Sequence, residues 1–253
     1  MMQTSHYQAA RLVQYQRLKP FKAISFDLDD TLYNNRPIIE NAVAASFALL
    51  NQAYPKTLSW SAHDWQTCKL ELCQQMPELN HDTSAARYAT LRQGLVQLGY
   101  CEIEASKGAQ LAMECFQFHR SDFSIDAEVL AVLEKLGAHY PLIGITNGNV
   151  DASRIGLDKL MKFVLHPGHG IKMKPAQDMF KLACRQLDID ASQLLHIGDH
   201  PVSDIVGAKM AGCQTVWLNP CQQDRFKEVS SLLPCVEISK LNQLESFCCG
   251  NVD

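Results

Sequence analysis

The chain of 253 residues has no long apolar run; Ala42 to Leu50 is typical of its hydrophobic stretches, and a membrane helix needs roughly 20 apolar residues in a row. Met1 to Phe21 carries Arg11, Arg17 and Lys19 without an apolar segment ahead of a small-residue cleavage site, so it does not read as a secretory signal. There is no basic surplus: 23 Lys and Arg against 27 Asp and Glu leave a net charge of −4. This argues against a general nucleic-acid or anionic-membrane binder. C-x-x-C pairs are absent, and the 10 cysteines lie scattered through apolar contexts. They read as buried free thiols of a cytosolic protein; Cys248-Cys249 could oxidise in air, with no function attached. Neither a P-loop nor G-x-G-x-x-G occurs, which leaves a nucleotide kinase or dinucleotide enzyme unsupported. The expectation is a soluble, cytoplasmic chain forming one large domain, or a domain with a sizeable insertion.

What is present begins with Ile24-Ser25-Phe26-Asp27-Leu28-Asp29-Asp30-Thr31-Leu32. A strand-like apolar run stops at three carboxylates within four positions. A buried strand normally ends in turn residues, and like charges so close repel one another. A shared cation relieves the repulsion, and Mg²⁺ prefers hard carboxylate oxygens.

In order, Met1 to Lys19 reads as a polar, weakly helical lead-in and Pro20 to Phe26 as the first strand. From Pro37 to about His119 only helical stripes appear: Ile39, Val43, Phe47 and Leu50; Trp65, Cys68, Leu72 and Met76; Tyr88, Leu91, Leu95 and Leu98; then Leu111, Cys115 and Phe116. Breaks fall at Tyr54-Pro55, Met76-Pro77 and Leu98-Gly99, so four helices with short connections are expected to bundle. From Ser124 helices and strands alternate. Helices are expected at Asp126 to Leu136, Asp151 to Leu160, Ala176 to Leu187, Ser203 to Ala211 and Leu241 to Phe247. Strands are expected at Pro141 to Ile145, Phe163 to Leu165, Leu194 to Ile197 and Thr215 to Leu218, with Val236 to Ile238 as an edge strand. The pattern implies an α/β fold with a parallel, doubly wound sheet and a site outside the carboxyl ends of its strands.

The polar clusters fall at that edge: Asp27 and Asp29 after the first strand, Thr146-Asn147 after the second, Gly198-Asp199 after a later one, with Lys174 before a helix. Taken singly these are turns, solvated charges or helix caps; together they suit phosphoryl transfer. Asp27 would attack phosphorus and form an aspartyl-phosphate. Asp29 would protonate the leaving oxygen and then deprotonate water. The Thr146 hydroxyl and Asn147 backbone N–H would hold a phosphoryl oxygen, and Lys174 would balance charge. Mg²⁺ would be bound by the Asp27 carboxylate, the Asp29 backbone carbonyl and the Asp199 carboxylate, with Asp204 orienting Lys174 or metal waters.

These residues resemble the haloacid dehalogenase superfamily. Asp27-Leu28-Asp29-Asp30-Thr31-Leu32 matches its first motif, Thr146 the second, Lys174 the third, and Gly198-Asp199 through Asp204 the fourth. The resemblance covers about Lys22 to Leu218. It implies a Rossmann-like core, residues 1–33 and 121–253, with an inserted all-helical cap domain, residues 34–120. True dehalogenases of the superfamily lack the second acid of the first motif, so Asp29 implies a phosphatase. Asn35-Arg36-Pro37, Ile145 to Asn149 and His81-Asp82 are similar to the superfamily branch that acts on 5-amino-6-(5-phosphoribitylamino)uracil and flavin mononucleotide in riboflavin synthesis. A broad sugar-phosphate phosphatase, a phosphomutase and a non-catalytic binder remain alternatives. The expected partner is a small phosphate ester, with neither nucleic acid nor membrane, for a monomer or weak dimer. His81, Asp82, Arg87, Tyr88 and Arg92 are candidate cap contacts. Trp60 and Trp65 read as core before stacking platforms, and His200 as a solvated loop side chain before a substrate contact.

Overall fold

A computed structural model describes residues 11–221 and 232–248. The first ten residues of the expected lead-in, and Cys249, lie outside the described residues. Among the described residues seven strands form one sheet in the order β1-β7-β6-β5-β2-β3-β4. They are β1 Leu12–Gln14, β2 Ala23–Phe26, β3 Leu142–Ile145, β4 Val164–Leu165, β5 Leu194–Gly198, β6 Gln214–Leu218 and β7 Val236–Ile238. All pairings are parallel except β1 with β7.

β2, β3, β5 and β6 are buried at every position, as continuous apolar runs require when helices cover both faces. Successive residues point to opposite sides. Ile24 and Phe26 join a core built with Leu133 and Leu136 of helix α5, Ala127–Gly137. Ala23 joins a second core with Met179, Phe180 and Ala183 of helix α6, Asp178–Leu187.

Between β2 and α5 run four helices: α1 Asn35–Ala53, α2 Ala62–Gln75, α3 Thr83–Gln97 and α4 Glu102–Arg120. Their starts are capped by side chains: Asn34 accepts from Arg36 N–H, Ser61 forms a capping box with Asp64, and Asp82 accepts from Ala85 N–H, which satisfies donors the helix itself cannot. Pro55 and Pro77 each open a short 3₁₀ turn where the expected breaks fall. The helices share a third hydrophobic cluster, including Leu50, Trp65, Leu91, Leu95 and Met113.

Five expectations are corrected. Leu12–Gln14 is a strand, paired antiparallel with β7; too few residues and no alternation made it invisible as one. For the same reason β7 is an inner strand, between β1 and β6. Residues 151–160 form turns and a short 3₁₀ segment, Leu157–Lys159, in place of a helix, with Gly156 at φ 81° interrupting the helical path. α4 buries Ala105, Gly108, Ala109, Ala112, Met113 and Phe116, while Leu111 and Cys115 lie only partly buried. Small residues at a close helix contact carry no hydrophobic stripe.

The 203–211 helix begins instead as a π-helical turn, Pro201–Val206, continuing as α7, Gly207–Met210. A Cβ on Gly207 would meet Pro175 Cα at 2.9 Å and Pro175 O at 3.1 Å, and backbone does not yield as a side chain end does. Gly207→Ala is therefore expected to lower stability by about 1–3 kcal/mol although alanine is the better helix former by about 1 kcal/mol; a thermal melt with unchanged or raised midpoint would contradict this packing.

Candidate active site

β2 lies between β3 and β5, with Phe26 opposite both Gly144 and Ile197. The loops leaving these three strands therefore meet, and Asp27, Thr146 and Asp199 stand at neighbouring strand ends. Every residue expected from the sequence to build the site is brought to this one edge.

Lys174 ties the edge together. Its side chain is fully buried, and Nζ donates to Asp27 Oδ1 at 2.6 Å and to the Ile145 carbonyl at 2.5 Å, while pairing with Asp204 Oδ1 at 2.7 Å. Burial pushes the ammonium down, but Asp204 and Asp27 together raise it above its ordinary value, so it remains a cation. The Asn147 amide holds the backbone of this lysine from both sides: Oδ1 accepts from Lys174 N–H at 2.8 Å and Nδ2 donates to Lys174 O at 2.9 Å. The Asn147 backbone N–H, the group expected to hold a phosphoryl oxygen, donates to no protein acceptor among the described residues. Thr146 is wholly buried, and its Oγ1 accepts from Gly148 N–H at 2.9 Å, leaving its own O–H to donate.

Asp204 lies beneath the edge, accepting from His200 N–H at 2.9 Å. Burial would raise its carboxyl, yet Lys174 and His196 hold it well below the usual carboxylate range. Asp199 accepts from Thr31 Oγ1 at 3.3 Å, and its carbonyl accepts from Trp217 Nε1 at 2.7 Å. His200 is exposed, as expected, but its Nδ1 caps the following turn by accepting from Val202 and Ser203 N–H.

One carboxylate oxygen from each of Asp27, Asp199 and Asp204 lies within 4.8 Å of the others. Burial pushes the Asp27 carboxyl well up against the pull of Lys174, and the neighbouring carboxylates of Asp204 and Asp29 push it in the same direction as burial. Burial, then Asp204 and Asp30, push Asp199 up to about 7. Carboxyls placed this way stay ionised at neutral pH only beside added positive charge. An all-oxygen donor set of this kind fits Mg²⁺: Asp27 and Asp199 would hold it, and Asp204 is already committed to Lys174.

Asp29 faces the other way, towards the helices. Its Oδ1 accepts from Tyr33 O–H at 2.7 Å and from Arg120 Nη2 in a salt bridge. Arg120 is the last residue of α4 and is 1% exposed. The sequence reading missed it, since a basic residue in a last helical turn ordinarily serves the helix dipole. The available signal was its spacing: Met113, Phe116 and Arg120 follow one another on the buried face of α4.

Above Asp29 opens a cavity of about 510 Å³ between the four helices and the 147–149 loop. Phe47, Trp65, Leu91 and Phe116 line it, with Asn35, Arg87 and Arg120. Of the candidate cap contacts, Arg87 reaches the cavity. Asp82 caps α3, Arg92 pairs with exposed Glu102, Tyr88 packs in the helical cluster, and His81 lies in the preceding 3₁₀ turn. Trp65 is core and cavity wall at once, with Trp60 packed edge-on against it at 4.8 Å. Arg36 is exposed and pairs with Glu40. The helices touch the loops through Asn149 Nδ2 and Ser84 Oγ, 3.1 Å apart.

A four-motif site on this sheet is that of the haloacid dehalogenase-like hydrolases, whose family pattern matches residues 21–212; the chain belongs to this family and is a hydrolase. It is 34% identical over 234 residues to the 5-amino-6-(5-phospho-D-ribitylamino)uracil phosphatase of Escherichia coli (strain K12), covering 92% of this chain and 98% of that protein. It is 30% identical to the glyceraldehyde 3-phosphate phosphatase of Pyrococcus abyssi, covering 88% and 92%. The crystal structure of a 2-haloacid dehalogenase from Pseudomonas syringae pv. Tomato DC3000 is similar with TM-score 0.85 and 35% identity, covering 89% of this chain and 97% of that one. Among the described residues no helix is long and apolar enough to cross a membrane.

Removing Lys174 leaves Asp27 and Asp204 as unpaired buried charges. Lys174→Met is expected to cost about 3–5 kcal/mol in metal-free urea unfolding, part of which Asp204→Asn added to it restores. A single variant as stable as the parent would show the ion pairs to be energetically idle.

Proposed function

We propose that the protein is a Mg²⁺-dependent phosphomonoesterase acting through an aspartyl-phosphate on small phosphorylated metabolites, with 5-amino-6-(5-phosphoribitylamino)uracil or flavin mononucleotide as substrate in riboflavin metabolism. The observation that carries the reading is the pairing of two aspartates at one strand end: Asp27 held by Lys174, and Asp29 turned to the cavity where a leaving group would sit. Residues 34–120 act as a helical cap over the core of residues 1–33 and 121–253, and the enzyme works in the cytoplasm as a monomer or weak dimer. The similarity to the Escherichia coli phosphatase over almost the whole of both chains supports the substrate choice.

In this reading an Asp27 carboxylate oxygen attacks phosphorus in line with the ester oxygen. The phosphorus–oxygen ester bond breaks as Asp29 gives a proton to the departing oxygen from Oδ2, since Tyr33 and Arg120 both bond to Oδ1. Lys174, Thr146 O–H and Asn147 N–H take up charge on the phosphoryl oxygens. Asp29, now ionised, removes a proton from water as that water attacks phosphorus and releases Asp27. Asp27 and Asp199, with the Asp29 carbonyl, would hold Mg²⁺, which would supply neutralisation of the negative charge gathered at this edge.

A dehalogenase reading is raised by the name of the Pseudomonas syringae structure. Asp29 speaks against it, because displacement of a halide needs no leaving-group acid. In phosphate release from a metabolite panel that includes both flavin-related esters, Asp29→Asn is expected to lower kcat by about 10²–10⁴-fold. Asp27→Asn or a chelator reduces release to background. Full activity in either of the last two conditions refutes the mechanism, and a flat panel refutes the substrate choice alone.

A further inference from the structure

The cavity is more basic than the chain around it. Its charged lining residues are Asp29, Lys69, Arg87 and Arg120, three bases to one acid, in a chain of net charge −4. Lys69 is exposed. Asp29 is already taken by Arg120, so no carboxylate remains for Arg87. Among the described residues Arg87 makes no hydrogen bond or ion pair; its one specific contact is with an aromatic ring, its Cζ lying 3.8 Å from the Phe116 ring centroid. Burial and the neighbouring Arg120 bring its guanidinium down to about 10. Arg120 lines the same cavity, and its buried Nη1 has no hydrogen-bond partner among the described residues.

A half-buried guanidinium without a counter-charge is unfavourable unless something completes it. Close contact with the Phe116 ring restrains the Arg87 guanidinium, and a restrained guanidinium presents its N–H fork for two-point recognition of paired oxygens. The phosphoryl group is provided for elsewhere, by Lys174, Thr146 and Asn147. Arg87 makes no hydrogen bond or ion pair with Asp27, Asp29 or Lys174, whose partners lie elsewhere. The surrounding wall of Phe47, Trp65 and Phe116 suits the faces of a flat ring.

We propose that Arg87, seconded by the free Nη1 of Arg120, is the specificity-determining residue of this pocket and binds an acidic, oxygen-bearing edge of a planar leaving group. The inference rests on the phosphatase reading for its kinetic arm and is independent of it for its binding arm.

The kinetic arm compares 4-carboxyphenyl phosphate with phenyl phosphate, which differ by one carboxylate. The parent enzyme is expected to favour the carboxylate ester by about tenfold in kcat/KM, a ratio typical of one hydrogen bond to a charged group. In Arg87→Gln that preference disappears; in Arg87→Lys, which keeps the charge and loses the fork, part of it returns. The binding arm titrates metal-free protein with 4-hydroxybenzoate and with phenol, followed by ligand-observed NMR. Tighter binding of 4-hydroxybenzoate, lost in Arg87→Gln and partly kept in Arg87→Lys, supports the proposal. No preference in the parent protein, or a preference that Arg87→Gln leaves intact, overturns it. Failure to turn over either ester would refute the phosphatase reading, and the binding arm would still decide the role of Arg87.

Discussion

The arrangement of this protein depends on one buried cation between two buried carboxylates. Lys174 reaches from the loop before α6 to the end of the central strand, and its ammonium is shared by Asp27, Asp204 and the Ile145 carbonyl. Without it the acids at this edge would repel one another in a medium that screens poorly. With it, Asp27 can stand at a strand end with its second oxygen uncommitted to lysine. Asn147 extends the same constraint to the backbone, because its amide fixes the segment that carries Lys174. The loops after β3 and before α6 are thus one mechanical unit.

Much of this was legible in the sequence because repulsion leaves a mark. Asp27, Asp29 and Asp30 after an apolar strand demand an explanation by their spacing alone. Buried parallel strands write themselves as short apolar runs, so β2, β3, β5 and β6 were readable, and the αβ alternation placed the polar residues at one edge. The first three helices followed from stripes, with proline at two of the breaks and glycine at the third.

What escaped was encoded in geometry rather than in residue type. Leu12–Gln14 is too short to show a period and is recognised only by what it pairs with. The first half of the buried face of α4 is alanine and glycine, Ala105, Gly108, Ala109 and Ala112, which a search for large apolar residues passes over. Arg120 looks like any cation at a helix end, yet it is among the largest fully buried side chains. Of the charged and aromatic residues around the 81–92 segment, Arg87 faces the cavity because α3 turns it there, and no local rule separated it from Arg92 five positions on, which lies on the outside against Glu102.

The sheet order carries a consequence for how the chain comes to be folded. β2 is made early in synthesis, but its partners β3 and β5 begin at Leu142 and Leu194. Until β5 has left the ribosome, β2 has a bare edge and Asp27 lacks Asp204 and Asp199 nearby. The helices between them can close on local contacts well before that. Long-range parallel pairing is the slow part of folding, and exposed strand edges are where partly folded chains associate. The acidic cluster that ends β2 also discourages that association, since a second chain adding to this edge would bring like charges together.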